Sequence, residues 1–280
     1  VLSHVDNKFV PIPANITTVN TLLNENLVDE SDMKKWLKKN QKNYKKIKNS
    51  EQMAKSRMGT KLYDLLIKDY TYKQWKKHPS ELDPSVTARI PIRSNHDTRY
   101  FSDKYQALPR HGYTYFFKQL LKHKNITIKL NTNFLKFKKK YNLSNTTIIF
   151  TGPIDHYFSD IGYEKLEYRS INFTTQRFKN MNFYQPNSVV NYPEKKYPFT
   201  RIVEYKHFLN QKSKHTIITK EITTDKGEPY YPVNTLRNLN LYEKYKKLAK
   251  EEEKNNIYFL GRLANYKYIN MDQAVINALD

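Results

Sequence analysis

Seven short segments of this chain together supply aromatic rings, arginines and tyrosine hydroxyls. The segments span residues 70–75, 88–93, 99–106, 150–158, 199–208, 227–234 and 261–271. Aromatic rings offer flat surfaces on which a base can stack, and an arginine binds a diphosphate through paired N–H donors. Tyrosine hydroxyls donate further hydrogen bonds to phosphate oxygens. The combination predicts a binding site for a sugar nucleotide.

Most of the basic residues are lysine. The overall positive charge therefore has to be distinguished from the arginines, which are the candidates for specific recognition. The chain has 49 basic and 27 acidic residues, a formal net charge of +22 and a pI near 9.7. A cationic surface of this kind can neutralise the phosphates of a nucleic acid. Only ten of the 49 basic residues are arginine, however, and lysine runs such as Lys138–Lys140 are typical of solvated surfaces. Each arginine is therefore a candidate ligand for phosphate or carboxylate, and no specific nucleic-acid partner is expected.

The composition excludes several classes of protein. The 280 residues contain no cysteine, which excludes a disulfide scaffold, a zinc finger and a thiol nucleophile. The eight histidines show no metal-ligand spacing, so no metal is expected. An aromatic content of 14% argues against a disordered chain. Because no run of about 20 apolar residues and no signal-peptide core is present, we expect a globular cytoplasmic protein without a membrane partner.

Helices dominate the first hundred residues, and strands dominate the middle of the chain. Apolar periodicity predicts helices at 17–23, 31–57, 61–68, 112–123, 241–254 and 272–279. Strands are predicted at 1–5, 8–11, 126–130, 147–150 and 257–260, and the strand at 147–150 is expected to be buried. A succession of short strands, among them 189–192 and 216–222, is predicted between residues 163 and 223. This mixture predicts an α/β fold with a substantial antiparallel sheet and a helical insert.

The chain resembles the UDP-galactopyranose mutase family over nearly its whole length, from Lys8 to Leu279. Two of the segments that carry the resemblance are TGPID at 151–155 and EPYYPVN at 228–234. Runs of this length are far more specific than a glycine fingerprint. The resemblance implies an FAD-linked mutase fold with an incomplete Rossmann-like domain, a helical-bundle insert and an antiparallel substrate sheet.

This fold implies five segments in chain order. Residues 1–16 are expected to be a strand segment of the substrate sheet, and 17–105 a helical domain with a mobile loop. Residues 106–162 are expected to be part of the FAD-binding domain, 163–234 an antiparallel sheet domain, and 235–280 the C-terminal part of the FAD-binding domain.

Members of the family interconvert UDP-galactopyranose and UDP-galactofuranose, which supplies galactofuranose for glycan synthesis. The reaction has no net redox change, and reduced FAD acts as a nucleophile at the anomeric carbon. The resemblance therefore implies an isomerase with reduced FAD as its cofactor and UDP-galactose as its small-molecule partner. Whether the protein assembles as a homodimer is left open.

The resemblance also implies roles for individual residues. Arg89, on the mobile loop, and Arg201 match arginines that bind the diphosphate, and they are the predicted catalytic residues. Tyr70 matches a tyrosine that stacks on uracil, and Trp75 matches a tryptophan that lines the sugar pocket. The remaining predicted substrate-binding residues are Tyr100, Asn191, Tyr231 and Tyr268. The predicted cofactor-binding residues are Arg262, which matches an arginine on the FAD pyrophosphate, together with Tyr268, Asn270 and Met271.

The chain departs from the family's pattern where FAD should bind. Its six glycines stand at 59, 112, 152, 162, 227 and 261, so these residues contain no Gly-x-Gly-x-x-Gly turn for the ADP half of FAD. The family's Gly-Ala-His segment beside the flavin is missing as well. The paired glycine before the arginine is Leu260-Gly261 here, and the flavin-side aspartate is Asn270, which removes one charge.

Three explanations of these departures stay open. The chain is a fragment of a longer mutase, one half of a split enzyme, or a decayed homologue that keeps only sugar-nucleotide binding; the start at Val1 without a methionine favours the fragment. Two functional alternatives to the isomerase also stay open, a non-catalytic module that binds UDP-sugars and a basic nucleic-acid-binding protein. We expect the 280-residue chain not to bind FAD in equimolar amount.

Overall fold

The computed structural model describes residues 1–279, apart from the side chain of Asn210, and divides the chain into two compact units. Unit 1 comprises residues 1–102 and 166–242, and unit 2 comprises residues 103–165 and 243–280. The segment boundaries predicted after residues 105 and 162 fall near the unit boundaries after 102 and 165. The last predicted segment, 235–280, ends at Asp280, which lies outside the described residues.

Both units contain helices and strands. The helices are α1 (Ile16–Leu23), α2 (Glu30–Asn40), α3 (Ser50–Leu62), α4 (Asp69–Trp75), α5 (Ser85–Ala88), α6 (Gly112–Leu120), α7 (Phe134–Lys140), α8 (Ile154–Tyr157), α9 (Leu236–Glu252), α10 (Gly261–Ala264) and α11 (Met271–Leu279). The strands are β1 (Leu2–Val5), β2 (Lys8–Pro11), β3 (Ile148–Phe150), β4 (Tyr168–Phe178), β5 (Val189–Asn191), β6 (Arg201–Glu204), β7 (Thr216–Thr224), β8 (Tyr231–Pro232) and β9 (Ile257–Phe259). Among the described residues, no helix has the length and apolar character that a membrane crossing requires.

Unit 1 is built on a seven-stranded sheet in the order β2-β1-β5-β6-β7-β4-β8. β1 and β5 are parallel, and the other neighbouring strands are antiparallel. The longest pairing joins β4 to β7, with Ser170 opposite Thr224 at one end and Phe178 opposite Thr216 at the other. This sheet, with the helices packed beside it, confirms the predicted α/β class with a substantial antiparallel sheet.

The helices at the start of unit 1 pack around one apolar core that contains Val19, Met33, Trp36, Met58 and Leu62. Three side chains begin these helices by accepting a hydrogen bond from a backbone N–H two or three residues into the helix, which satisfies one donor that the helix leaves unpaired. The pairs are Asn15 with Thr18 at 3.0 Å, Asp29 with Asp32 at 2.9 Å, and Asn49 with Gln52 at 2.9 Å.

The prediction of a single helix over 31–57 was wrong, because α2 ends at Asn40 and α3 begins at Ser50. The connecting segment is held by hydrogen bonds that a continuous helix could not make. The side chain of Gln41 donates to the carbonyl of Arg57 at 2.9 Å, and the amide of Lys42 donates to the carbonyl of Lys55 at 3.1 Å. Apolar periodicity continued across this break and therefore concealed it.

Unit 2 contains a two-stranded parallel sheet, β3 with β9, and several helices with exposed apolar side chains. The strand predicted at 147–150 is confirmed, but its predicted burial is not, because Ile149 is 59% exposed. The strand predicted at 126–130 was wrong. Ile126, Ile128 and Leu130 alternate in sequence, yet they lie outside any described strand and are exposed. Alternation alone does not form a strand, because a strand also needs a neighbour to accept its hydrogen bonds.

Candidate functional site

Helix α4 carries two of the predicted site residues, Tyr70 and Trp75. A π-helical turn, Tyr63–Lys68, leads into α4, and turns of this type are frequent at functional sites. Trp75 is buried, and its ring meets the ring of Tyr231 edge to face, with centroids 5.9 Å apart and planes at 74°. Tyr70 is half-buried in the first turn of the helix. The structure therefore brings together the predicted sugar-pocket tryptophan and one predicted substrate tyrosine.

Asn191 and Arg201 lie opposite each other on neighbouring strands β5 and β6. Residues that face each other across a ladder have their Cβ atoms about 5 Å apart on one face of the sheet. In the next strand, Glu221 lies opposite Arg201, and its Oε2 is 2.9 Å from Nε of Arg201. Three adjacent strands thus present an amide, a guanidinium and a carboxylate in one row.

The carboxylate of this row lies in an environment of low polarity. Burial raises the pKa of Glu221, and the positive charge of Arg201 opposes that rise. The ion pair with Glu221 places the guanidinium of Arg201 within the row. A guanidinium can bind a phosphate through two parallel hydrogen bonds. The sequence motifs did not identify Glu221. The pattern that could have identified it is a charged residue between Thr219 and Thr223, which are both buried on the same strand.

Arg169 is a further arginine that the motifs did not identify. It lies on β4 directly opposite Tyr231 of β8, and it is 7% exposed. Burial lowers the pKa of its guanidinium, and Asp225 partly offsets that effect. Within the described residues its Nε is buried without a hydrogen-bond partner, which is costly for a charged group. We expected each arginine of this lysine-rich chain to be a candidate ligand, and this expectation included Arg169. None of the seven motif segments contains it.

Arg89 and Tyr100 lie in the segment that follows α5. Arg89 directly follows the last residue of α5 and is exposed. The backbone around it is anchored, because the guanidinium of Arg57 donates to the carbonyl of Ala88 and the amide of Arg93 donates to the carbonyl of Ala14 at 3.0 Å. Tyr100 packs against the apolar core of the first helices, which places it on the helical part of unit 1. Mobility of the Arg89 loop stays a prediction.

The four predicted residues of unit 2 lie in one stretch, after β9. The guanidinium carbon of Arg262 lies 4.2 Å from the centroid of the Tyr268 ring, a cation–π contact. The backbone N–H of Asn270 donates to the side-chain oxygen of Gln273 at 3.0 Å. Met271 is 62% exposed. The structure therefore brings Arg262 and Tyr268 together, and it leaves Asn270 and Met271 at the surface.

Comparison with known proteins identifies what these elements resemble. A family model described as UDP-galactopyranose mutase matches residues 65–268. A probable UDP-galactopyranose mutase of Klebsiella pneumoniae is 33% identical over 279 residues, which cover 98% of this chain and 71% of that protein. A dTDP-fucopyranose mutase of Escherichia coli is 32% identical over 276 residues, which cover 96% of this chain and 72% of that protein.

A solved structure supports the same fold. The crystal structure of a reduced UDP-galactopyranose mutase superposes with a TM-score of 0.65 and 16% identity, covering 95% of this chain and 73% of that one. At this identity the likeness shows the fold alone. The family model, the relatives and the solved structure together confirm the resemblance that the segments at 151–155 and 228–234 indicated.

Proposed function

The chain belongs to the UDP-galactopyranose mutase family, and we propose that it binds UDP-galactose in unit 1 and interconverts the pyranose and furanose forms of the sugar. Family membership favours this isomerase activity over a module that only binds UDP-sugars. The observation that carries the proposal is the row formed by Asn191, Arg201 and Glu221, on the same sheet as Tyr231.

Arg201 is the residue proposed to hold the diphosphate. The carboxylate of Glu221 lies 2.9 Å from its Nε, so its positive charge has an acidic neighbour before a ligand arrives. Arg89 is proposed as the second diphosphate ligand, and its exposed position after α5 suits a residue that meets the ligand from solvent.

Trp75, Tyr231 and Tyr70 are proposed to contact the sugar and the base. β6 and β8 are separated by β7 and β4, which places their backbones about 14 Å apart at the usual strand spacing. A ligand that touches both Arg201 and Tyr231 must therefore be extended. A base, a diphosphate and a sugar in sequence form such a ligand.

The residues of unit 2 fit the pyrophosphate end of FAD. Arg262 is half-buried and stacked on Tyr268, and Gly261 has open space where a Cβ would stand, with a φ of 89°. A glycine of this kind lets another group approach the backbone closely. The 280 residues contain no glycine-rich turn for the adenosine end. When bound in its reduced form, FAD would supply the nucleophile for the anomeric carbon. The residues of unit 1 are proposed to hold the diphosphate and orient the sugar.

Three sequence-based expectations stay predictions. They are a cytoplasmic location, a homodimer, and the lack of a specific nucleic-acid partner. The supply of galactofuranose for glycan synthesis is part of the proposed function. The activity assay tests whether the chain produces the furanose form.

The test measures UDP binding and turnover separately. Calorimetric titration of the 280-residue chain with UDP is expected to show saturable binding, and Arg237→Ala, a change at an exposed arginine, should leave it unchanged. Turnover of UDP-galactofuranose is then measured with FAD and dithionite, for the chain alone and for the chain extended at its N-terminus by the corresponding segment of the Klebsiella relative. Conversion by the extended chain supports the proposal, and lack of UDP binding by both proteins contradicts it.

The choice of sugar nucleotide needs its own comparison, because one relative of similar identity is described as a dTDP-fucopyranose mutase. The extended chain should be assayed with UDP-galactofuranose and dTDP-fucofuranose side by side. A higher kcat/KM for the UDP-sugar is expected. The reverse order would transfer the assignment to the dTDP-sugar.

A further inference from the structure

Lys73 is a charged residue inside unit 1, on the helix that carries Tyr70 and Trp75. Its side chain is 7% exposed, although free lysines are almost always solvated. Its ammonium donates hydrogen bonds to four backbone carbonyl oxygens: those of Tyr192, Glu194 at 3.0 Å, Tyr197 at 3.1 Å and Phe199 at 2.9 Å. An ammonium has three N–H donors, so the four acceptors engage all of them and two acceptors share one N–H.

All four carbonyls belong to one connection, residues 192–200, between β5 and β6. At the base of this connection the amide of Tyr192 donates to the carbonyl of Thr200 at 2.8 Å. Carbonyl groups that converge in a buried space cannot satisfy one another, because every one of them is an acceptor. The conformation of the 192–200 connection therefore depends on the cation at its centre.

The connection is flanked on both sides by predicted substrate-binding residues. Asn191 precedes it and Arg201 follows it, and the two are paired across the ladder. The backbone of Lys73 is fixed as well, because the hydroxyl of Thr223 on β7 donates to its carbonyl. Lys73 thus joins α4 both to the connection and to the strand that carries Glu221.

The charged groups near Lys73 have other partners. Asp69 pairs with Lys195 at 3.5 Å, and Glu194 pairs with Lys196 at 2.8 Å. Carboxylates therefore contribute to Lys73 only at longer range, and Lys76 on the same helix opposes them. The four carbonyl dipoles provide the direct compensation for the buried charge.

We propose that Lys73 is a positioning residue for the diphosphate site: its ammonium fixes the 192–200 connection and so sets Asn191 and Arg201 in place relative to Tyr70 and Trp75. Lys73 has no contact with the ligand in this arrangement. The inference rests on the proposed function, which gives those four residues their roles.

Lys206 provides a matched control in the same unit. It is 5% exposed, and its ammonium donates to the carbonyl and side-chain oxygens of Asn182 at 2.7 and 2.9 Å and to the carbonyl of Ser213. Neither partner segment contains a predicted site residue. Loss of the Lys206 ammonium therefore removes a comparable buried hydrogen-bond set without touching the 192–200 connection.

The experiment compares Lys73→Met and Lys206→Met with the wild-type 280-residue chain. Methionine keeps much of the apolar stem and removes the three donors. Amide hydrogen exchange over residues 192–201 is measured without ligand, UDP affinity by calorimetry, and the melting temperature by circular dichroism. Lys73→Met should accelerate exchange in 192–201 and weaken UDP binding, each by about tenfold or more, the effect of losing charged hydrogen bonds. Lys206→Met should lower the melting temperature with neither change.

Several outcomes would overturn the inference. A folded Lys73→Met chain with wild-type exchange over 192–201 shows that the ammonium does not fix the connection. An equal loss of UDP affinity in Lys206→Met shows that general destabilisation is responsible. If Lys73→Met does not fold, Lys73→Gln, which keeps two N–H donors, should give intermediate exchange and affinity, and wild-type values in it also contradict the inference. If the wild-type chain itself fails to bind UDP, the proposed function fails, while the exchange data still decide whether Lys73 fixes the connection.

Discussion

The two units of the chain differ in how much of their apolar surface they bury. In unit 1 the first helices share one core, and the sheet has its own around Val190, Ile202 and Ile218. In unit 2, α6, α7 and α11 contain no buried side chain, and Tyr115 and Leu120 are exposed by half or more. Unit 2 also buries apolar side chains, among them Ile154, Phe158, Tyr245 and Tyr266, but these do not come from α6, α7 or α11. The residues proposed to bind UDP thus lie in the unit whose long helices are packed into a core, and the residues proposed to bind FAD lie in the unit that leaves three helices unburied.

The sheets show the same contrast. The seven strands of unit 1 pair mainly antiparallel, an arrangement that tolerates one solvated face. The β3–β9 pair of unit 2 is parallel and has only two strands, whereas parallel sheets are normally covered on both faces. Ile149 on β3 and Tyr258 on β9 are exposed at 59% and 39%. Their paired neighbours Ile148 and Ile257 are buried, so this small parallel sheet covers one face and leaves the other exposed.

The largest expected effect separates the two ligands. The 280-residue chain should bind UDP but carry far less than equimolar flavin, because Arg262 and Tyr268 provide one end of the FAD site and no glycine-rich turn provides the other. The measurement is the flavin absorbance per mole of purified protein, after incubation with FAD and removal of the excess. An equimolar flavin spectrum would contradict the expectation and remove the functional contrast between the units.

The second prediction concerns the burial of Lys73 in unit 1. Burial lowers its pKa to about 8 from an unfolded value of 10.5. Between these two pH values the unfolded chain binds more protons, so the contribution of Lys73 to the unfolding free energy rises with pH. The stability of the wild type relative to Lys73→Met should therefore increase between pH 8 and pH 10, by up to about 3 kcal/mol. Urea unfolding of both proteins at several pH values measures it, and a difference that stays constant would show that the four carbonyl oxygens hold the pKa of Lys73 at its unfolded value.

The third prediction tests the row on the sheet. Arg201→Ala should weaken UDP binding by about 2 kcal/mol, roughly thirtyfold, because it removes charged hydrogen bonds to the diphosphate. It also leaves Glu221 without its cation. Glu221→Gln in the same background should then recover stability but not UDP affinity, since the amide is buried at lower cost than the charge. Calorimetry and thermal melting of the single and double variants separate the two roles, and recovery of affinity in the double variant would show that Arg201 acts only through Glu221.

The sequence predicted the parts of the fold that depend on neighbouring residues. The spacing of Ile16, Val19 and Leu23 was enough to place α1, and the apolar run Ile148–Phe150 was enough to place β3. Prediction failed where a distant partner decides the outcome. The alternation of Ile126, Ile128 and Leu130 resembles a strand, but no described strand lies beside it.

The site followed the same rule. Tyr70, Trp75 and Arg201 stand in segments that resemble the mutase family, so the resemblance sufficed to predict them as site residues. Glu221 and Lys73 gain their importance from contacts with residues 20 or more positions away: Glu221 meets Arg201, and Lys73 meets the carbonyls of 192–199. In a chain with 39 lysines, nothing local distinguishes the buried Lys73 from the solvated ones.

The smallest expected effect compares equivalent helix starts in the two units. Asn49 caps α3 by accepting from the amide of Gln52 at 2.9 Å, and Asn133 caps α7 by accepting from the amide of Lys136 at 3.1 Å. The caps have the same chemistry, but α3 contributes Met58 and Leu62 to a core and α7 buries no side chain.

A cap stabilises the folded state by about 1 kcal/mol when its helix unfolds together with the rest of the unit. Asn49→Ala should therefore lower the unfolding free energy of the main urea transition by about 1 kcal/mol, and Asn133→Ala by a few tenths at most, because a helix without buried contacts can open before that transition. Equal losses for the two variants would show that both units unfold as one cooperative structure, and the contrast in packing would then have no energetic counterpart.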